Sequence, residues 1–271
     1  MLNRSGDIIR SMDGKKRRQK LTAVSMIHYF RLIYRSVLFI LLAVEYVLYR
    51  VQSRAFPEPG IGRQTAVSLI IWTVFAVEMV FRFFPSKYES PGCQKQFKRN
   101  YIKSGKTEIK IADNNATMLV ALVWAVLNCI FGALYMLDIF DKGIMFLLCL
   151  AYSVCDMICI LFYCPFQSIL LKNKCCGSCR IYNWDYAMMF TPLFFIRGVF
   201  TWSLLTLAVA LLVRWEITFY KYPERFSENT NRYLECSNCT EKLCVHKKQL
   251  KGLWSQIEEY TAKKIGRLKK D

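Results

Sequence analysis

The sequence predicts an all-α, polytopic helical membrane protein, and three observations lead to that prediction. First, 54% of the 271 residues are hydrophobic, and they are grouped in long blocks instead of being dispersed with helical or strand periodicity. Second, the blocks can cross a hydrocarbon core of about 30 Å, which takes about 20 residues of helix. Third, the excess of Lys and Arg (38) over Asp and Glu (20) lies mainly beside the blocks, as is typical of cytoplasmic flanks.

About five transmembrane segments are expected, at residues 27–49, 64–84, 116–140, 143–166 and 186–220. The first carries Arg31 and Arg35, which we expect to snorkel to the interface. A tight turn joins the third and fourth into an antiparallel helical hairpin. The last is too long for one untilted span and is interrupted by Pro192 and Gly198. It is therefore either a span preceded by an interfacial helix or, in part, a re-entrant hairpin.

The remaining segments are polar and mostly basic, and they divide the chain into three parts. These are a basic cytoplasmic arm (1–26), a transmembrane domain (27–220) with a basic loop (85–115) and a Cys-rich loop (164–185), and a Cys-containing basic tail (221–271) with an amphipathic helix. No cleavable signal peptide is apparent, so the first block is expected to stay in the membrane. We expect a cell-membrane protein with both ends in the cytoplasm, which five simple spans do not allow. A re-entrant element with Arg197 at its turn removes the conflict.

Two groups of residues have the spacing of metal ligands. They are Cys164, Cys175, Cys176 and Cys179, and Cys236, Cys239, Cys244 and His246. Each group offers four ligands, the number that closes a tetrahedral zinc site, and the two C-x-x-C pairs are the specific part of the pattern. Structural zinc, in one composite site or in two, is the expected cofactor. An iron–sulfur cluster uses the same thiolates, and thiol–disulfide chemistry or no metal is the third interpretation.

Ionisable residues inside the apolar blocks are the second candidate site. Glu78, Asp156 and Arg197 lie farthest from any flank, and we expect Arg197 to pair with Glu78 or Asp156. Arg82, four residues after Glu78, offers that carboxylate a local partner on the same helical face. Such charges indicate either a structural ion pair that holds helices together or a path for protons or ions.

The sequence contains no Walker loop, no G-x-G-x-x-G, no G-x-S-x-G and no H-E-x-x-H motif, so it does not predict an enzyme class. The leading hypothesis is a membrane protein whose cytoplasmic Cys-rich site holds structural zinc in an assembly or regulatory module. A membrane redox protein with an iron–sulfur centre or reactive thiols is one alternative, and a small ion- or proton-coupled transporter is another. The expected partners are the anionic cytoplasmic leaflet and other membrane proteins, whereas nucleic acid is not expected.

Overall fold

The computed structural model describes residues 22–52, 66–111, 113–171, 175 and 177–244. Within these ranges the chain forms seven α-helices: α1 (Ala23–Val51), α2 (Ala66–Phe81), α3 (Pro91–Gln94), α4 (Asn114–Met136), α5 (Lys142–Leu161), α6 (Asp185–Phe190) and α7 (Val199–Lys221). Turns of 3-10 helix occur at Lys98–Asn100, Tyr182–Trp184, Thr191–Phe195, Pro223–Arg225 and Arg232–Leu234, and a π-helical turn at Phe166–Leu170. In the described part of the chain no β-strand forms; Lys103 and Asn231 make one isolated antiparallel bridge.

Four of these helices, α1, α4, α5 and α7, are long and apolar enough to cross a membrane, and α2 is a shorter apolar helix of 16 residues. Side chains on the outer faces are large and apolar; Ile40, Leu122 and Ile130, for example, are 52–60% exposed. Exposed apolar surface on this scale suits contact with lipid and not with water. The prediction of an all-α, multi-pass membrane protein with about five segments is confirmed.

The long helices begin where a capping side chain precedes an apolar block. The Thr22 hydroxyl accepts a hydrogen bond from Ser25 N (3.2 Å), and the Asp141 carboxylate accepts one from Ile144 N (2.9 Å). These caps satisfy backbone donors that the first helical turn leaves unpaired. Because Thr22 caps α1, this helix begins several residues before its apolar stretch.

The last apolar segment is broken, as predicted. Its first part is α6 followed by the 3-10 helix Thr191–Phe195, and its second part is α7. The chain is extended at Ile196, between them, and side chains form hydrogen bonds with the buried carbonyl group there. Thr201 Oγ1 and Trp202 Nε1 each donate a hydrogen bond to the Ile196 carbonyl oxygen at 3.1 Å. Side chains from the first turn of α7 therefore stabilise the break by pairing the backbone carbonyl group that it leaves free.

This broken segment is a re-entrant hairpin, because its two ends lie at the same end of the bundle. α6 begins beside Arg82, which follows the end of α2. Ser203, near the start of α7, accepts a hydrogen bond from Trp72, in the first half of α2 (2.8 Å). Glu216, near the end of α7, is again beside Arg180 in the loop that precedes α6. The first arm lies in the core of the bundle and not at its surface, since the α6 and 3-10 side chains Tyr186, Met189, Phe190 and Leu193 are 1–2% exposed.

The polar segments meet in one layer, which we call the loop layer: residues 82–111, 162–171, 175, 177–184 and 222–244, together with the start of α1. Glu241 of the tail lies 3.0 Å from His28 Nε2 of α1 and accepts a hydrogen bond from Ser90 Oγ (2.9 Å). Arg225 donates to the Gln96 carbonyl oxygen (3.1 Å). Both described ends of the chain, residues 22 and 244, therefore lie at the same end of the bundle. The rest of the basic arm and the predicted amphipathic helix lie outside the described residues.

Candidate functional site

Arg35 is the centre of a buried network of charges where the long helices approach the loop layer. Its side chain is 0% exposed, and its two terminal nitrogens contact different helices. Nη2 donates to Glu78 Oε2 of α2 (2.9 Å), and Nη1 donates to Asp156 Oδ2 of α5 (3.2 Å) and to the Ser153 carbonyl oxygen (3.2 Å). A guanidinium with two carboxylates and a carbonyl has the partners that a buried charge requires.

Two further arginines extend the network. Arg31, one turn before Arg35, lies 3.2 Å from Glu78 and forms a bidentate pair with Glu89 of the loop layer. On the other side, Arg82 Nη1 lies 2.7 Å from Asp185 Oδ2 and donates to Asn183 Oδ1 (3.0 Å). The ion pairs therefore join α1, α2, α5 and α6 to each other and to the loop layer.

The predicted pairing of Arg197 with Glu78 or Asp156 is wrong. Arg197 is exposed at the turn of the re-entrant hairpin, whereas both carboxylates lie close to the loop layer and contact Arg35. The snorkelling expected of Arg31 and Arg35 is also wrong, because both are buried.

Arg82 contacts Asp185, and the local pair expected with Glu78 is replaced by this longer-range contact. The sequence did contain a signal for the network. His28, Arg31 and Arg35 are spaced by three and four residues, as are the buried apolar positions Leu38 and Leu42 that continue the same face.

The described cysteines among the predicted metal ligands lie in the loop layer, although they come from distant parts of the chain. The thiol of Cys175, in the Cys-rich loop, is hydrogen-bonded to the thiol of Cys244, in the tail. That contact and burial raise the pKa of Cys175 above its ordinary value. Cys175 also lies close enough to Cys236 and Cys179 to interact with them electrostatically, so the two groups are neighbours.

The described residues bring no three His, Cys, Asp or Glu side chains together with the geometry of a metal site. Cys164 instead contacts Cys159, at the end of α5, through their thiols. Cys236 is exposed, Cys239 is half-buried, and Cys179 is buried. Cys176 and His246, the two remaining predicted ligands, lie outside the described residues.

Lys95 holds the Cys-rich loop from below, a role that the sequence did not indicate. Its side chain is 0% exposed, and its ammonium group donates to the carbonyl oxygens of Gly177 (3.0 Å) and Cys179 (2.8 Å). It also lies over the rings of Trp215 and Phe226, at 5.3 and 5.4 Å from their centroids. Burial lowers the pKa of Lys95 to about 8. The positions of the loop thiols therefore depend on a lysine of the preceding loop.

A second anchor ties the same loop to α7. Arg180 donates to Glu216 Oε1 (2.8 Å), and Trp184 Nε1 donates to the same oxygen (2.7 Å). The Arg180 carbonyl oxygen accepts a hydrogen bond from Trp215 Nε1 (3.0 Å). The loop is thus fixed to the last span on one side and to Lys95 on the other.

Directly beneath the Cys-rich loop lies a partly open cavity of about 140 Å³. It is bounded by α4, α5, α6 and the π-helical turn, and two carboxylates of the network, Asp156 and Asp185, line it. The aromatic rings of Trp124, Tyr152 and Phe166 line the same cavity. Comparison with protein-family models, curated proteins and solved structures finds no match to this chain.

Proposed function

We propose that the chain is a cell-membrane protein whose loop layer and both ends lie in the cytoplasm, and that loop and tail cysteines bind zinc there as part of an assembly or regulatory module. The single observation that carries the metal proposal is the contact between Cys175 and Cys244. A loop and a tail that are 69 residues apart meet through thiols, and thiolates are the preferred ligands of structural zinc.

The orientation is supported by the charge of the loop layer. Lys98, Arg99, Lys103, Lys106 and Lys110 all lie in the segment between α2 and α4. Short basic loops of this kind stay on the cytoplasmic side of a membrane. Because the tail lies in the same layer, it takes the same side, where anionic lipid attracts its lysines.

The composite site that we propose takes Cys175 from the loop and Cys236, Cys239 and Cys244 from the tail; these described thiols do not yet converge as a metal site, so they would have to close around the ion as it binds. Metal binding would require these thiols to lose their protons, which zinc promotes strongly. The bound metal would close the loop onto the tail and fix both to α7 through Arg180 and its partners. Loss of the metal would separate the Cys-rich loop from the tail cysteines, which makes this contact the regulated step.

Anaerobic purification of the full chain followed by elemental analysis and an absorption spectrum tests this proposal. We expect a colourless protein with about one zinc ion per chain, or about two if the loop and tail groups bind separately. The double variant Cys236→Ser/Cys239→Ser is expected to lose the composite zinc, whereas Cys129→Ser, at an exposed position on α4, should keep it. Iron with labile sulfide would favour the cluster alternative, and protein free of both metals would refute metal binding.

A redox function is the second candidate, because the described thiols contact one another in pairs, Cys159 with Cys164 and Cys175 with Cys244. Oxidation of one pair to a disulfide releases two electrons and two protons, which a quinone in the bilayer takes up to become a quinol. Incubation of metal-free protein with a short-chain quinone tests this: two thiols should disappear per quinol formed. If Cys244→Ser leaves that yield unchanged, the Cys175–Cys244 pair is not the donor.

The transporter alternative rests on the intramembrane charges. Since Arg35 contacts both Glu78 and Asp156, and these pairs join three helices, we assign this network to holding the bundle together. The network thus supports the metal-binding layer and does not by itself call for transport.

A further inference from the structure

The cavity beneath the Cys-rich loop has an aromatic wall of the kind that attracts cations. The ring centroids of Trp124 and Tyr152 are 4.6 Å apart at an interplanar angle of 54°, and those of Trp124 and Phe166 are 6.3 Å apart at 72°. Tilted rings around a shared space present negative faces to a positive group. The volume of about 140 Å³ is close to that of an apolar cavity that takes up a benzene-sized molecule, about 150 Å³.

One carboxylate of the cavity lining has an oxygen without a hydrogen-bond partner among the described residues. The Asp185 side chain is only 4% exposed, and its Oδ2 forms an ion pair with Arg82 whose geometry is not that of a hydrogen bond. Within the described residues its other oxygen, Oδ1, has no hydrogen-bond partner, although Asp185 lines the cavity. Asp156 also lines the cavity, near enough for its charge to interact with that of Asp185. Buried carboxylate oxygens normally have partners, so Oδ1 lacks one that the cavity has room to supply.

Negative groups also outnumber positive groups in the network of ion pairs. Within the described ranges, its carboxylates are Glu78, Glu89, Asp156 and Asp185, and the guanidinium groups that pair with them are Arg31, Arg35 and Arg82. Four carboxylates share three guanidinium groups. In a medium of low dielectric constant an unbalanced charge is costly, so the position next to Asp156 and Asp185 favours a further positive group.

We propose that this cavity binds an alkylammonium group, with Asp185 and Asp156 as its counter-ions and the rings of Trp124, Tyr152 and Phe166 as its walls. A metal ion fits this cavity less well, because the aromatic rings that line it cannot coordinate one. The group comes either from a lipid headgroup or from a free amine. This site is separate from the proposed zinc site, and its test does not depend on zinc.

The thermal unfolding midpoint of the full chain in phosphatidylglycerol nanodiscs, whose lipid has no ammonium group, tests the proposal. The probe is choline, whose positive charge would be balanced by the carboxylates and whose hydroxyl, not its quaternary nitrogen, can donate a hydrogen bond to Asp185 Oδ1. It is compared with 3,3-dimethyl-1-butanol, which has nearly the same shape but no charge, and with sodium chloride at equal ionic strength. We expect choline to raise the midpoint in a concentration-dependent way and the two controls to leave it unchanged, because a ligand that binds the folded state stabilises it. An equal response to the neutral alcohol, or no response to choline, overturns the proposal.

Variants locate the binding. Asp185→Asn is expected to weaken choline binding about tenfold or more, whereas Asp138→Asn, which removes an exposed carboxylate at the far turn, should leave it unchanged. If Asp185→Asn does not fold, Trp124→Leu serves instead, because it removes an aromatic face without breaking an ion pair; a several-fold loss is expected. Unchanged binding in Trp124→Leu would contradict the proposed site.

The two sources are told apart by repeating the titration in phosphatidylcholine nanodiscs. If the headgroup of this lipid is the ligand, the choline response disappears there, and phosphatidylcholine copurifies when the protein is extracted from mixed lipid. If a free amine is the ligand, the choline response is the same in both nanodiscs.

Discussion

Arg35 is the residue on which the packing of the bundle near the loop layer depends. It is completely buried, and its contacts with Glu78 and Asp156 connect α1 to α2 and α5. It also lies 5.4 Å from the ring centroid of Phe75 and 5.8 Å from that of Tyr186. Removing such a group leaves Asp156 without its counter-ion and Glu78 with Arg31 alone, which costs far more than the pairs contribute while they are intact.

We therefore predict that Arg35→Met lowers the free energy of unfolding by about 3–5 kcal/mol. Thermal unfolding in detergent provides the measurement. Arg197→Met is the matched control: it removes the same side chain from the exposed hairpin turn, and we expect a change within about 0.5 kcal/mol. Similar losses in the two variants would show that the network does not hold the helices together.

Lys95 makes the stability of the loop layer depend on pH. In the folded protein its pKa is lowered to about 8 by burial, and its ordinary value is 10.5. Between these values the unfolded chain holds a proton on Lys95 that the folded chain has lost. Stability contributed by this residue therefore rises with pH across that window, and below about pH 8 it stays at its minimum.

The corresponding prediction compares the wild type with Lys95→Met from pH 7 to pH 10. The difference in free energy of unfolding should change in favour of the wild type above pH 8, by at most about 1.4 kcal/mol per pH unit. The comparison cancels the titration of groups that the two proteins share. For Lys106→Met, at an exposed position, the free energy of unfolding should change with pH as it does in the wild type. If Lys95→Met also showed the pH dependence of the wild type, the proposed effect of Lys95 would be refuted.

Among the elements, the re-entrant hairpin depends on a close approach to α4. A Cβ atom at Gly132 would overlap the ring of Phe195, which follows Pro192 in the 3-10 helix. Glycine costs about 1 kcal/mol relative to alanine inside a helix, so its presence in α4 needs a reason. The reason is the ring: only a residue without a side chain lets the tip of the hairpin reach α4.

We predict that Gly132→Ala lowers the thermal unfolding midpoint, because overpacking of about 1–3 kcal/mol exceeds the gain in helix propensity. Phe195→Leu should relieve the overlap, so the double variant Gly132→Ala/Phe195→Leu is expected to be more stable than Phe195→Leu alone. A Gly132→Ala variant that is more stable than the wild type would show that the hairpin tip does not pack against α4.

The positions of the helices are predictable from the sequence because they follow from hydrophobic blocks and from caps such as Thr22 and Asp141, which are local. The break at Pro192 is local as well. The partner of Arg35 is not: its carboxylates are 43 and 121 residues away, and the choice of partner depends on how the helices pack. Residue spacing alone favoured Arg82 for Glu78.

The candidate site likewise has features that the sequence predicts and contacts that depend on how the chain packs. The cysteine groups stand out in the sequence because thiols at C-x-x-C spacing are rare without a reason. The contact of Cys175 with Cys244 depends on the hairpin, which returns the chain to the loop layer. Lys95 and the cavity depend on contacts between loops that have no periodic pattern, so neither was predictable.

At the scale of the whole molecule, the hairpin decides the topology. α1 leaves the loop layer and α2 returns to it; α4 leaves and α5 returns; α6 and α7 enter and leave the bundle from the same layer. Every described polar segment except the short turn between α4 and α5 and the end of α1 belongs to this layer. The described ends, residues 22 and 244, and the described thiols Cys175 and Cys244 thereby lie at one end of the bundle, as the proposed composite site requires.

We predict that reporters at the end of the chain and in the turn between α4 and α5 lie on opposite sides. A fluorescent protein fused after Asp271 should fluoresce in a bacterial host, because it matures in the cytoplasm. Alkaline phosphatase inserted after Asp138 should be active, because it needs an oxidising exterior. Exchanging the two reporters should abolish both signals. Phosphatase activity at Asp271 would place the tail outside and would make the last apolar segment a complete crossing. In that case Cys175 and Cys244 would lie on opposite sides of the membrane, and they could not share a zinc ion.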